Sequence, residues 1–140
     1  VPLSAPAQDL QSTINTFAAS VSEVSAAALG TPDGLLITAS VGLARDHADE
    51  LAAVACGLVS IVAGSTNRMW GEDRVEIAVA QLTKRVLMVK PIADGAILAV
   101  VATSKVDLDS AGAAVESLAM QVGRLLTPEL REELQQALPI

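Results

Sequence analysis

The run LAAVACGLVSIVAGSTN, Leu51 to Asn67, carries no charged residue and is bounded by Glu50 and Arg68. Such a run is a membrane span, a helix of the core, or a surface that meets another protein. It stops short of the roughly 18–20 strongly apolar residues that a span needs, and much of it is Ala, Gly and Ser. The charged flanks and the soluble pattern around it favour globular burial, with no direct insertion into a membrane.

On a helical wheel Leu51, Ala55, Leu58 and Val62 form one line. Val54 and Ile61 widen it on one side, Ala52 and Val59 on the other. That line is expected to face a sheet. Nearly opposite lie Ala53, Gly57, Ser60 and Gly64, a face with nothing larger than a serine. An exposed Gly inside a helix costs ~1 kcal/mol relative to Ala, so two on one face call for a reason. Close approach of another backbone is one; a face tolerated in solvent or under a loop is the plain alternative. The neighbour favoured here is a second copy of the same helix.

The rest of the chain reads around that helix. Residues 1–8 form a flexible lead. From Asp9 the positions Leu10, Ile14, Phe17, Ala18 and Val21 recur at helical spacing. Val24 to Leu29, the turn GTPDG and then LLITA read as a hairpin. RDHADE opens the long helix, with Asp46 as its expected N-cap. Three strands follow: Arg74 to Leu82, Arg85 to Lys90 and Ala96 to Ala102, joined by TK and PIADG. Asp107 starts another helix, and Thr127 with Pro128 starts a short terminal one.

The domain proper therefore spans 9–126, with a C-terminal helix over 127–140. Strands grouped as two and three, rather than alternating with helices, predict one central five-stranded antiparallel sheet sandwiched between helices, in the order α-ββ-α-βββ-α. The third and fifth strands are apolar at almost every position, so helices are expected on both faces.

Charge and cysteine content narrow the function. A net charge of −7 opposes attraction to phosphate backbones, which argues against nucleic acid. No Lys or Arg precedes Arg45, so a charged secretory leader is not expected and the chain reads as cytoplasmic. Cys56 is the single cysteine and has no partner for an intramolecular disulfide; within the apolar run it reads as core.

No catalytic constellation is visible. His47 is the only histidine, and G-x-S-x-G, G-x-x-x-x-G-K-[ST] and G-x-G-x-x-G are all missing from the sequence. DLDSAG (Asp107 to Gly112) lacks the remaining ligands of a calcium loop and reads as a helix start. No metal, cofactor or catalytic residue is assigned, and the chain is not expected to be an enzyme. The aromatic residues are Phe17 and Trp70 alone, which is poor lining for a small-molecule sensor.

Two further features suit an interaction surface. Trp70 stands in NRMWGEDR between Arg68 and Arg74, and Trp and Arg are frequent binding anchors; a Trp plugging the end of a core is the commoner arrangement. The third strand alternates Val75, Ile77 and Val79 against Arg74, Glu76 and Ala78, and an edge strand of that kind is open to pairing with another chain.

With these stretches in hand, the chain resembles the roadblock/LC7 family, in particular the small roadblock proteins encoded beside Ras-like GTPases in actinobacteria. The matching stretches are TPDGLLITASVGL, ADELAAVACGLVSIVAG, GAILAVVATSKVDL and LLTPELREEL; their order carries the likeness. The resemblance implies a profilin-like layout. It also implies a homodimer in which the long helices pack together and the third strands pair into one continuous sheet.

Members of the family are non-enzymatic adaptors that bind small GTPases, and some bacterial members raise the partner's GTP hydrolysis. The actinobacterial group is also associated with a sensor histidine kinase, so membrane attachment is expected only through partners. A scaffold joining GTPase and kinase is the alternative to a GTPase regulator. The dimer interface is then expected at Ala53, Gly57, Ser60, Ile61, Gly64, Val75, Ile77 and Val79, and the GTPase contact at Arg68, Trp70 and Arg74.

Overall fold

The structure, a computed structural model, describes residues 2–92 and 95–138. In chain order the elements are α1 (Ala5–Ser20), β1 (Val24–Gly30), β2 (Leu36–Ala39), α2 (Arg45–Trp70), β3 (Ala78–Gln81), β4 (Arg85–Ile92), β5 (Ala96–Thr103), α3 (Leu108–Leu125) and α4 (Pro128–Gln136). The strands form one antiparallel sheet, as the strand grouping predicts, and lie in the order β2-β1-β5-β4-β3.

Each face of the sheet has its own core. Leu10, Ile14 and Phe17 of α1, Val115, Leu118 and Val122 of α3, and Leu130 and Leu134 of α4 pack on Leu29, Ile37, Met88, Leu98 and Val100. On the other face α2 lays Ala48, Ala52 and Ala55 against Ala28, Leu36, Val89, Ile97 and Ala99. Alanines there let helix and sheet approach closely: a Cβ built on Gly30 of β1 would come within 3.1 Å of the Ala52 Cβ.

The two edges of the sheet differ. At the β2 edge, α4 packs alongside and the Gln135 side chain donates to the Leu36 carbonyl at 3.3 Å. At the other edge β3 packs extensively on β4 alone. An edge without a cover is a template for another strand.

The turn chemistry follows the sequence. Gly34 takes φ +89° in the β1–β2 turn, and the Thr31 hydroxyl accepts from the Leu35 N–H at 3.1 Å. Thr127 caps α4 by accepting from the Leu130 N–H at 3.1 Å, with Pro128 at the tolerated first position.

Six expectations change. Helix α1 starts at Ala5, inside the expected lead, because Ser4 caps it by accepting from the Ala7 N–H at 3.3 Å and Pro6 suits the first turn. Asp46 is not the cap of α2. Ala44 occupies that position without a side-chain cap, and the Asp46 carboxylate accepts instead from the His47 N–H at 3.0 Å.

The third strand is shorter than Arg74 to Leu82. Leu82 N–H donates to the Arg85 carbonyl at 2.8 Å, which sets the alternation so that the next bonded pair beyond Ala78 and Val89 would join Glu76 to Pro91. Proline has no N–H to give, and the ladder ends at Ala78. Val75 and Ile77 therefore precede the strand. Of the expected PIADG connection, Pro91 and Ile92 extend β4, and Ala93 and Asp94 lie outside the described residues, as do Val1, Pro139 and Ile140.

The long helix is also rotated about its axis. Ala48, Ala52 and Ala55 face the sheet, while Val54 is 53% and Ile61 70% exposed, so neither widens the buried line. Cys56 is half-buried at the margin of the core, where its thiol donates to the Pro32 carbonyl in the β1–β2 turn at 2.6 Å.

One contact joins the chain's two ends. The Glu133 carboxylate accepts from the Ser4 N–H at 2.6 Å and from the Ser4 hydroxyl at 2.7 Å. The backbone bond first, and the hydroxyl bond second, hold this carboxyl below its ordinary value. A carboxyl depressed by folding adds stability above its unfolded pKa and loses it as pH falls through the folded one. Glu133→Gln is therefore expected to melt below the unaltered chain at pH 6–7, with the gap closing below about pH 4. Melting curves across that range check it; a gap that persists into acid would contradict it.

Candidate protein-binding site

The face opposite the buried line of α2 is open among the described residues at Gly57 and beyond. A Cβ built on Gly57 meets nothing within 4 Å, and one on Gly64 meets only the Arg68 guanidinium, at 3.8 Å. Ser60 is exposed beside them. Ala53 lies nearer the β1–β2 turn, where its Cα is 3.6 Å from a Cβ built on Gly34. Next to this face runs an apolar flank, Val54 and Ile61, with half-buried Leu58 at its base packed on the core of Ala55, Val89, Ile97 and Ala99.

Beyond Ala55 no residue of α2 is buried, and the helix projects to its end at Met69 and Trp70, which are 61% and 78% exposed. Gly71, at φ +90°, stops the helix, and the chain returns through Glu72, Asp73 and Arg74 to β3. Trp70 therefore plugs no core. Arg68 and Arg74 are exposed, and neither side chain has an ion pair or hydrogen bond among the described residues. An indole and two guanidinium groups without an ion pair or hydrogen bond among the described residues thus gather at and just beyond the end of α2, and such side chains are frequent binding anchors.

The bonded pair of Leu82 and Arg85 also tells which backbone groups of β3 are free. Ala78 and Ala80 turn their N–H and C=O toward β4, while Ile77, Val79 and Gln81 turn theirs outward. The side chains of these three line a groove of about 440 Å³ with Met88, Leu108 and Gly112 on the α3 side of the sheet. Ile77 and Val79 are 39% and 46% exposed, and Val75 is half-buried in the preceding segment.

The structure thus brings Gly57, Ile61 and Gly64 together on one side of α2, sets Ile77 and Val79 on the open sheet edge, and gathers Arg68, Trp70 and Arg74 at the helix end. Sequence reasoning missed Val54 and Glu50 as surface members of α2. Their spacing with Gly57, Ile61, Gly64 and Arg68 was the signal available. His47 and Glu50 border a shallow apolar recess with Leu43, Leu51, Val54 and Val101, and no group of three His, Cys, Asp or Glu among the described residues is placed to hold a metal ion.

Comparison with known proteins supplies the family. The family model for the Roadblock/LC7 domain matches residues 11–102. Comparison with curated proteins gives no match. Among solved structures, a roadblock/LC7 domain from Streptomyces avermitilis is similar at 29% identity, covering 80% of this chain and 92% of that one with a TM-score of 0.74. Myxococcus xanthus MglB has the same fold at 14% identity, with 84% and 94% covered and a TM-score of 0.74. Profilin II of Acanthamoeba castellanii shares it more loosely, at 18% identity, 82% and 97% coverage and a TM-score of 0.59. With more than half its length matched and its strand order and helix layers accounted for, the chain belongs to the roadblock/LC7 domain family.

Proposed function

We propose that this chain is a homodimeric adaptor that binds a Ras-like small GTPase and modulates its GTP hydrolysis. The observation that carries the reading is the exposed end of α2, where the side chains of Trp70, Arg68 and Arg74 stand without a hydrogen bond or ion pair among the described residues. Membership of a family of GTPase-binding adaptors supports it.

The dimer uses the free edge. Antiparallel pairing of β3 with the partner's β3, centred on Val79, satisfies the outward groups of Ile77, Val79 and Gln81 and makes one ten-stranded sheet. It also carries the apolar flank of α2 toward the other copy.

The test is single-turnover hydrolysis by the Ras-like GTPase expected to be encoded beside this chain, with and without the chain. Stimulation with complex formation is expected. An arginine supplied in trans contributes roughly 10³–10⁵ in rate, so Arg74→Ala is expected to remove nearly all stimulation while leaving the complex intact. A complex without stimulation would make the chain a scaffold. No complex with either the GTP-bound or the GDP-bound form would overturn the reading.

A further inference from the structure

The β2 edge lies at the far side of the sheet from β3, and its outward backbone groups are met by side-chain amides at two places. Ser40 N–H donates to the Ala27 carbonyl at 2.8 Å, so in the register that pairs Ala28 with Ala39 the latter turns its own N–H and C=O away from β1. Two residues on, the Val41 N–H also points outward and donates to Asn15 Oδ1 at 2.9 Å. On the other side of Ala39, the Leu36 carbonyl accepts from Gln135 Nε2 at 3.3 Å. Between these two, the outward pair of Ala39 has no partner among the described residues, and Ala39 lines a cavity of about 240 Å³.

The walls of the cavity are mostly apolar: Leu36, Leu43, Ala48, Leu134, Ala137 and Leu138. Two hydroxyls also line it, on Thr38 and Ser40, which are 2% and 4% exposed. The Thr38 hydroxyl accepts from the Gln11 amide at 3.5 Å and the Ser40 hydroxyl from the Ala27 N–H at 3.1 Å; neither donates to a group among the described residues. Thr31, by contrast, is buried with both roles filled, accepting from the Leu35 N–H and donating to the Asp33 carboxylate. A buried donor without an acceptor calls for an occupant. Arg45 on the lining is engaged with the Asp49 carboxylate at 3.1 Å, which favours an uncharged one. An apolar cavity with a few convergent polar groups is the usual form of a small-molecule site.

The polar groups select the ligand. The outward N–H and C=O of one extended residue lie side by side, so a single group that answers both carries an acceptor next to a donor. A cis amide within a ring does. The trans amide of a peptide points its N–H and C=O in opposite directions. A peptide strand would also need further pairs along the edge, where Gln135 and Asn15 already bond. Thr38, whose bond to Gln11 is the longer of the two, adds a donor for a second carbonyl.

We propose that this cavity binds a small uncharged cyclic imide or amide, with the ring N–H on the Ala39 carbonyl, one ring carbonyl on the Ala39 N–H and a second on the Thr38 hydroxyl. The site lies at the opposite edge from β3 and does not rest on the dimer reading.

Titration of the isotope-labelled full chain with glutarimide, followed by NMR, tests the assignment. The backbone amide signals of Thr38, Ala39 and Ser40 are expected to shift saturably. N-methylglutarimide, which has no N–H, is expected to bind about tenfold more weakly, and 2-piperidone, which lacks the second carbonyl, about fivefold. Thr38→Val is expected to weaken glutarimide about fivefold and leave 2-piperidone unchanged. Ala137→Leu, at an exposed position on the wall, is expected to abolish binding of both and keeps the test standing if Thr38→Val does not fold. The absence of a saturable shift at the solubility limit of glutarimide would overturn the assignment, as would N-methylglutarimide binding equally well or Ala137→Leu binding unchanged. A shift produced by N-acetylalanine N-methylamide and not by the rings would overturn it in favour of a peptide.

Discussion

A Val79→Pro chain is expected to fold and to stay monomeric. The Val79 N–H points away from β4, so the substitution breaks no bond of the β3–β4 ladder, and an edge strand is where a proline is tolerated. The side chain it replaces is 46% exposed, and the thermal stability of the single chain should change little. Pairing with another β3 is a different matter. Each copy loses an N–H donor and leaves a carbonyl of the other unmatched, and the ring stands where the neighbouring strand would lie. At about 1–3 kcal/mol for each carbonyl left buried without its donor, two such losses amount to roughly 2–6 kcal/mol. That corresponds to roughly 30-fold to 10⁴-fold in the dissociation constant. Light scattering with circular dichroism checks both halves, and a folded Val79→Pro dimer of undiminished affinity would place the interface elsewhere.

The largest effect on folding is expected at Leu98. This residue is fully buried on β5, between β1 and β4, in the core shared by α1, α3 and α4. Leu98→Ala removes its contacts with that core and leaves a cavity that strands bonded on both sides close poorly. The cost is about 2–5 kcal/mol, seen as a fall in Tm of roughly 8–20 °C. Val54→Ala on the exposed flank of α2 is the contrasting change and is expected within about 0.5 kcal/mol for the isolated subunit. Urea unfolding of both in the Val79→Pro background separates folding from association. A loss under 1 kcal/mol at Leu98 would contradict the packing described.

Periodicity made most of the fold readable. Helix α1, the hairpin at Gly30 to Gly34 and the closing Thr127-Pro128 start obey local rules, and the grouping of strands allowed only an antiparallel sheet with helices on both sides. What sequence reading misplaced depends on parts of the chain that meet only after folding. The early start of α1 owes part of its hold to Glu133, on α4 at the far end of the chain. The short β3 is cut by Pro91 on a different strand.

The rotation of α2 has another cause. Its sheet face is made of alanines, because Gly30 admits close approach, while larger residues such as Val54 and Ile61 face outward. A wheel that assumes larger apolar groups turn inward sets that helix rotated, bringing Val54 and Ile61 to the margin of a sheet face that Ala48, Ala52 and Ala55 in fact occupy. The same property opens the proposed partner surface, since side chains that look like core in the sequence are left unburied by the single chain. Trp70 and the two arginines were legible as residue types suited to binding, but their exposure at the end of a projecting helix was not.

The homodimer is tested most directly by the mass of the unaltered protein in solution, measured by light scattering across a dilution series. The account predicts a species of twice the 14.3 kDa chain mass that dissociates on dilution. A single 14.3 kDa species at every concentration would contradict it and would leave the apolar flank of α2 and the open edge of β3 to some other protein.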